Sequence, residues 1–143
     1  MLLADRVCVV TGAGQGIGRE IALAMAREGA HCALVGRRSA PLEEVQRAIE
    51  AKGGKAIAIS ADVAKEADVS RFFGETAARL GPVDVLVNNA GIAGPIAEIG
   101  QIELEGWLQT LAINLTGPWL CCRAAALVMA PRGRGRIVNI GWI

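Results

Sequence analysis

The chain has 143 residues, enough for one domain with its own core, and a formal net charge of +1 at pH 7. No uncharged apolar run approaches the roughly 18 residues of a membrane span, and the first five residues lack the basic region of a signal peptide. Lys and Arg form no long stripe, which argues against nucleic-acid binding, and Arg132, Arg134 and Arg136 are predicted to be solvated loop charges before a strand.

Short apolar runs alternate with segments in which apolar residues recur at helical spacing. Pro41 suits the first turn of the second helix, and Glu43 and Glu44 favour its positive end. In chain order the predicted elements are a strand at 6–10, a helix at 17–28, a strand at 32–35, a helix at 42–49, a strand at 55–60, a helix at 69–80, a strand at 83–87, a loop at 92–102, helical spacing at 104–111 and again at 119–128, and a strand at 136–140. Strands that alternate with helices predict an α/β fold with a parallel sheet, in one domain spanning residues 1–143.

A glycine-rich turn joins the first strand to the first helix. Gly12 permits a sharp turn off the strand, a bare Gly16 lets a pyrophosphate approach the main chain, and Gly18 lets the helix pack closely on the sheet. The free N–H groups and the positive end of the helix dipole then face the phosphates. The spacing is G-x-x-x-G-x-G, with Ile17 where the strict G-x-G-x-x-G pattern has glycine, and the alternative is a tight turn without a ligand.

The turn, TGAGQGIG, resembles the cofactor loop of the short-chain dehydrogenase/reductase family, and four further motifs match in order. They are the acidic position Asp62-Val63, the NNAG motif at 88–91, the active-site asparagine Asn114 in NLTG, and GRIVN at 135–139 before and in the fifth strand. The resemblance implies a Rossmann-type, doubly wound sheet of five strands in the order 3-2-1-4-5, incomplete at its C-terminal edge. It also implies that the pyrophosphate is held by Gly12, Gln15, Gly16, Ile17 and Gly18, that Asp62 and Val63 meet the adenine, and that Asn89, Ala90 and Gly91 line the cleft.

The end of the second strand indicates which dinucleotide is preferred. A carboxylate there would bind the ribose 2′-hydroxyl of NAD, but this chain has Gly36-Arg37-Arg38-Ser39. Guanidinium groups suit a 2′-phosphate through charge and paired hydrogen bonds, so Arg37 and Arg38 predict NADP(H) over NAD(H). The alternative is that both arginines are only solvated loop charges.

The family's proton donor has no counterpart in this sequence. In the family a Tyr donates the proton to a carbonyl, a Lys four residues on lowers its pKa, and a Ser binds the substrate oxygen. The chain contains no Tyr, and the position of that Ser falls at about Trp142. Asn114 is then the only remnant of the catalytic group, or else a helix-kink or capping residue.

The remaining reactive residues have structural interpretations. Cys8 and Cys32 fall inside apolar runs and are predicted to be buried free thiols, which suggests a reducing, cytoplasmic location. Cys121 and Cys122 lie mid-helix without an activating histidine, and His31, the only histidine, begins a strand away from the cleft.

Three hypotheses follow. The first is an NADP(H)-dependent oxidoreductase by ancestry, acting on a carbonyl or alcohol but shortened and inactive alone. The second is a non-catalytic nucleotide-binding module that senses NADP(H) or pairs with a full-length relative, and the third is an interaction protein that has lost the ligand. We also expect self-association, through an exposed fifth strand or through the 119–128 helix, which resembles part of the family's dimer interface.

Overall fold

The computed structural model describes residues 1–141, so Trp142, the predicted counterpart of the family's Ser, lies outside the described residues. Five strands alternate with helices along the chain. The elements are β1 (Val7–Thr11), α1 (Gly16–Arg27), β2 (His31–Gly36), α2 (Ser39–Glu50), β3 (Lys55–Ser60), α3 (Glu66–Arg79), β4 (Val85–Asn88), a 3₁₀ turn (Ile99–Gln101), α4 (Leu104–Leu111), a π-helical turn (Ala112–Thr116), α5 (Gly117–Met129) and β5 (Arg136–Asn139).

The strands form one parallel sheet in the order β3-β2-β1-β4-β5, which confirms the predicted fold class and strand order. All five residues of β1 are buried, because helices cover both faces of the sheet. On one face Val9, Leu86 and Phe72 belong to the core beneath α3 and α5. On the other face Leu34 and Leu42 belong to the core beneath α1 and α2.

The edge strand β5 is much less protected than the rest of the sheet. All four of its residues are exposed, with Ile137 at 38% and Val138 at 45% relative accessibility. It pairs with β4 on one side only, so its other side presents unpaired backbone groups among the described residues.

The helical spacing at 104–111 and 119–128 belongs to one continuous helix rather than two separated stretches. The π-helical turn between α4 and α5 carries the chain from one to the other. This helix, Leu104–Met129, has the length and composition to cross a membrane, with a mean hydropathy of 1.4 over its most apolar window. That is weak support for a membrane span, because core helices of soluble proteins meet the same criterion, and α5 packs against α3 and β4.

Two local predictions are wrong. Helix α2 begins at Ser39, two residues before Pro41, so Glu43 and Glu44 lie beyond its first turn. Arg132 is not a solvated charge, because its guanidinium donates to Asp84 Oδ1 at 2.8 Å, and Arg134 lies 3.5 Å from the same oxygen. Asp84 precedes β4 and also accepts a hydrogen bond from the Val7 N–H, so this ion cluster ties the starts of three strands together.

Candidate functional site

A cleft of about 560 Å³ opens at the carboxyl edge of the sheet. Residues that follow each of the five strands line it, among them Gly12, Arg37, Ala61, Asn89 and Ile140. The sheet's connections change direction between β1 and β4, and in parallel α/β sheets such a point is where ligands bind. The volume falls within the roughly 300–1,000 Å³ of small-molecule and cofactor sites.

The glycine-rich turn presents bare backbone to this cleft. Gly12 and Gly16 have φ values of +65° and +55°, which favour glycine. A Cβ at Gly16 would meet nothing within 4 Å, so the residue faces open space on the cleft side. A Cβ at Gly18, in contrast, would overlap the Gly12 carbonyl oxygen and the Asn89 side chain. Gly18 thus lets α1 lie close to the turn, as expected for that position.

The start of α1 has free donors for an anion. Among the described residues no side chain caps the helix at Gln15, and no acidic residue lies in its first turn. The first N–H groups of a helix have no partner within it, and the helix dipole places positive charge there. An open, glycine-lined backbone below an uncapped helix start fits a pyrophosphate, so Gly12, Gln15, Gly16 and Ile17 are the residues that would hold it.

Hydrogen bonds between the ends of β1 and β4 hold the centre of the cleft in place. The Thr11 hydroxyl accepts from the N–H groups of Asn89 and Ala90, both at 3.0 Å, and donates to the Val87 carbonyl at 3.4 Å. The Asn89 amide donates to the carbonyls of Thr11 and Gly12 at 3.2 and 3.3 Å. Thr11 was not predicted as a site residue, although a hydroxyl directly before the glycine turn is visible in the sequence.

Two arginines lie at the opposite end of the cleft, directly after β2. Arg37 and Arg38 both line it, and Arg38 donates to Gln15 Oε1 at 3.0 Å. Neither arginine pairs with a carboxylate in the part of the chain that the structure describes. Both guanidinium groups are therefore available to an anion at this end of the cleft.

Asp62 and Val63 line the cleft after β3. Asp62 Oδ1 accepts from the Ala64 N–H at 2.9 Å, and the Asp62 N–H donates to Asp68 Oδ2 at 2.8 Å. The carboxylate thereby shapes the β3–α3 turn, and Val63 is buried beside it at 7% accessibility. The part of the cleft lined by Asp62 and Val63 could therefore hold a flat, largely apolar group of a ligand.

Asn114 lies in the π-helical turn, behind the cleft wall. Its Oδ1 accepts from the Ile92 N–H at 2.9 Å, and its Nδ2 donates to the Ile92 carbonyl at 2.7 Å. Both ends of the amide thus pin the loop after β4 to the π turn. These two bonds are in line with the alternative prediction for Asn114, that it is a structural residue at an irregularity of the helix.

The cysteines and the histidine supply no reactive group to the cleft. Burial raises the pKa of Cys8, Cys32 and Cys121 to about 12, so these thiols stay protonated at neutral pH. Cys8 and Cys32 are fully buried, as predicted. His31 begins β2, at the opposite edge of the sheet, with Nε2 3.5 Å from an Asp5 carboxylate oxygen. Residues 1–141 contain no cluster of three potential metal ligands.

Most predicted cofactor residues meet in the one cleft. Those that line it are Gly12, Gln15, Gly16, Ile17, Arg37, Arg38, Asp62, Val63, Asn89, Ala90 and Gly91, whereas Gly18 and Asn114 lie behind it. The apolar lining residues Leu42 and Ile113 were not predicted, because in sequence they look like ordinary core positions of helices.

The chain is similar to known proteins of one family. The family model "short chain dehydrogenase" matches residues 6–142. A 3-oxoacyl-[acyl-carrier-protein] reductase from Bos taurus is 43% identical over 139 residues, covering 97% of this chain and 57% of its own length. The chain spans about half the length of such curated relatives.

Solved structures share the fold along the chain. A metagenomic short-chain oxidoreductase in complex with NADP has a TM-score of 0.96 at 36% identity, covering 100% of this chain and 65% of its own. An NAD⁺-bound xylitol dehydrogenase has a TM-score of 0.93 at 33% identity, covering 97% and 54%. The glycine turn, the order of the strands and the position of the cleft all agree with the match to the family model. The chain therefore belongs to the short-chain dehydrogenase family.

Proposed function

We propose that this chain binds NADP(H), in preference to NAD(H), as the cofactor-binding part of an oxidoreductase that interconverts a carbonyl and an alcohol. The observation that carries the proposal is that an uncapped helix start and two arginines that pair with no described carboxylate line the same cleft. The helix start suits the pyrophosphate, and the arginines lie where a ribose 2′-phosphate would come. When bound, the nicotinamide supplies or accepts the hydride.

Charge supports the choice of NADP(H). Among the cleft-lining residues that the structure describes, Asp62 is the only carboxylate, and it follows β3 rather than β2. Its oxygen Oδ1 already accepts a backbone N–H. A 2′-phosphate beside Arg37 and Arg38 would meet two positive groups and no opposing acid at the end of β2.

A charge reversal tests the preference. We expect Arg37→Asp to weaken NADPH binding by about tenfold to a hundredfold, the loss of one or two charge-assisted hydrogen bonds, and to leave NADH binding nearly unchanged. Arg47→Asp is the matched control, because Arg47 is an exposed arginine of α2 that does not line the cleft. The measurement is a fluorescence titration of NADPH and of NADH with each variant. Equal NADPH affinity in the wild type and Arg37→Asp would reject the assignment.

We further propose that a polypeptide of these 143 residues does not reduce carbonyls by itself. The described cleft lining has no hydroxyl side chain, and the whole chain has no Tyr. One positioned general acid contributes on the order of 100- to 10,000-fold, so turnover without one should be negligible. An assay of NADPH oxidation with generic ketones, aldehydes and quinones tests this, and robust turnover would overturn it.

The second candidate function is a non-catalytic module that binds the dinucleotide or pairs with a full-length relative. The observation that favours it is that the described cleft lining offers bare backbone and two arginines to an anion but no hydroxyl side chain that could donate a proton. Mixing the chain with a full-length family member and measuring co-migration in size-exclusion chromatography separates the two functions. If the two proteins co-migrate, the result supports a non-catalytic module that pairs with a relative. If they do not, the cofactor-binding part of an oxidoreductase remains the better proposal.

A further inference from the structure

A second pocket, of about 530 Å³, lies at the opposite edge of the sheet from the dinucleotide cleft. It sits between the C-terminal ends of α1 and α2, above the amino ends of β2 and β3. The described residues that line it are all different from those that line the dinucleotide cleft. Its volume again falls within the range of small-molecule sites, roughly 300–1,000 Å³.

The walls of this second pocket are aliphatic. Leu23 and Ala26 come from α1, and Ala48 and Ile49 come from α2. Ile49 is almost fully buried at 2% accessibility and forms part of the core, so the wall is fixed by packing. Among the described residues no Phe or Trp lines the pocket, so it suits an aliphatic group rather than a stacked ring.

The rim of the second pocket is cationic. Arg27, Lys52 and Lys55 line it together with His31, and no described carboxylate does. Within residues 1–141, none of these three cations lies within 4.0 Å of a carboxylate oxygen. Three exposed positive side chains therefore share one rim without a carboxylate partner among the described residues, and an anion placed there would meet charge of opposite sign.

Of the neighbouring acids, Asp5 lies 3.5 Å from Nε2 of the rim residue His31, and Glu28 and Glu50 are engaged elsewhere. Glu28, next to Arg27 in sequence, accepts the Leu2 N–H at 2.9 Å. Glu50 accepts from the Gln46 side chain at 2.9 Å. Neither carboxylate makes an ion pair with the rim, so the positive charge of the rim is left for a ligand.

Hydrogen bonding of cations to the last carbonyls of a helix does not account for this rim. Such side chains can hydrogen-bond the last carbonyls of a helix. Here backbone N–H groups satisfy those carbonyls instead, since the Gly29 N–H donates to the Ala26 carbonyl and the Gly53 N–H donates to the Glu50 carbonyl, at 3.0 and 2.9 Å. In the described part of the chain, no hydrogen bond joins the rim cations to these carbonyls.

We propose that this second pocket binds an amphiphilic anion, with its aliphatic body between α1 and α2 and its carboxylate or phosphate head at Arg27, Lys52 and Lys55. Two compounds of equal chain length distinguish the possible heads, namely octanoate and octyl phosphate. The head that binds more tightly identifies the source as a fatty acid or a phosphate ester. 1-Octanol is the neutral comparison, because it has the same body without the charge.

The test is calorimetric titration of each compound into the whole chain and its variants. We expect one saturable site for the anions and at least tenfold weaker binding of 1-octanol. Lys52→Gln combined with Lys55→Gln should weaken anion binding about tenfold or more, because two positive charges at the head are lost. Arg47→Gln, on the outside of α2, should change it less than about twofold. Ala48→Trp should block the pocket by filling it.

Three results would overturn the proposal: no saturable binding of either anion, equal affinity for 1-octanol, or unchanged anion affinity in the double lysine variant. The lysines are exposed, so their replacement does not threaten folding in the way that Ala48→Trp does. A thermal unfolding curve for each variant verifies this. The test is independent of NADPH binding, because different residues of the described chain line the two pockets.

Discussion

Replacement of the Asp84 carboxylate by an amide should destabilise the protein in a pH-dependent way. Asp84 is 8% exposed and accepts from the Val7 N–H at 3.0 Å and from Arg132 at 2.8 Å. Arg134 and Arg6 lie 3.5 and 3.9 Å from Oδ1. Burial raises the pKa of this carboxyl, but the Val7 N–H and the Arg132 guanidinium outweigh burial, and the net pKa lies below its ordinary value of 3.8.

The magnitude follows from the bonds that are lost. Each hydrogen bond to a charged group contributes about 1.5–3 kcal/mol to stability. In Asp84→Asn the amide oxygen can still accept from one of the two donors, Val7 N–H or Arg132, but its NH₂ group faces the other donor and cannot accept from it. We expect a loss of about 3 kcal/mol of unfolding free energy at pH 7, or a Tm lower by about 10 °C. Because the folded pKa is depressed, the contribution of Asp84 is complete above about pH 4 and disappears as the pH falls through the folded pKa.

Urea unfolding of the wild type and Asp84→Asn at pH 7 and at pH 3 measures both effects. The difference between the two proteins should shrink at the lower pH, because below about pH 3.8 the unfolded chain takes up a proton at Asp84 more readily than the folded protein does. Asp5→Asn is the matched control, since the Asp5 side chain is 92% exposed, and it should change stability by less than about 0.5 kcal/mol. A loss below about 1 kcal/mol for Asp84→Asn at pH 7 would refute the stabilising role of this ion cluster.

Three further predictions concern the glycine turn, the cleft centre and the sheet edge. Gly18→Ala should weaken NADPH binding at least about tenfold in a fluorescence titration, because its Cβ overlaps the Asn89 side chain and displaces the turn. Thr11→Val should lower the unfolding free energy by about 2–3 kcal/mol in urea, because two N–H groups lose their acceptor. Ile137→Lys should shift the protein toward monomer in sedimentation velocity, because a lysine on an exposed edge strand opposes pairing.

Each of these predictions has a matched control or a contrary outcome. Gly74→Ala places a Cβ in open space on α3 and should leave NADPH binding intact, so equal loss in Gly74→Ala and Gly18→Ala would contradict the role of the close approach at the turn. Thr110→Val removes a hydroxyl that only donates to a helix carbonyl, and it should cost less than Thr11→Val. A wild-type chain that is already monomeric at high concentration would contradict the role of the β5 edge.

The sheet was predictable because its information is local. Each strand or helix could be recognised from its own residues, such as the apolar run Lys55–Ser60, and from a glycine that ends it, such as Gly29, without information on distant parts of the chain. The alternation of elements then selects a parallel sheet, and the motif resemblance supplied the strand order. The cleft was predictable for the same reason, since residues after parallel strands come together at one edge.

The ion cluster and the π-helical turn were not predictable from local patterns. Asp84 and Arg132 are 48 positions apart, and their contact depends on the register of β4 and β5. Asn114 could not be assigned to a π turn, because the bond to Ile92 that holds it is made 22 positions away. From their local sequence alone, charged residues such as Asp84 and Arg132 are predicted to lie on the surface.

Pyrophosphate binding by the backbone of the glycine turn and the start of α1 is the central claim. Calorimetric titration of the wild-type chain with NADPH tests it most directly. We expect one saturable site per chain, with NADPH bound more tightly than NADH. A protein that folds, as judged by cooperative urea unfolding, and takes up neither nucleotide would contradict it.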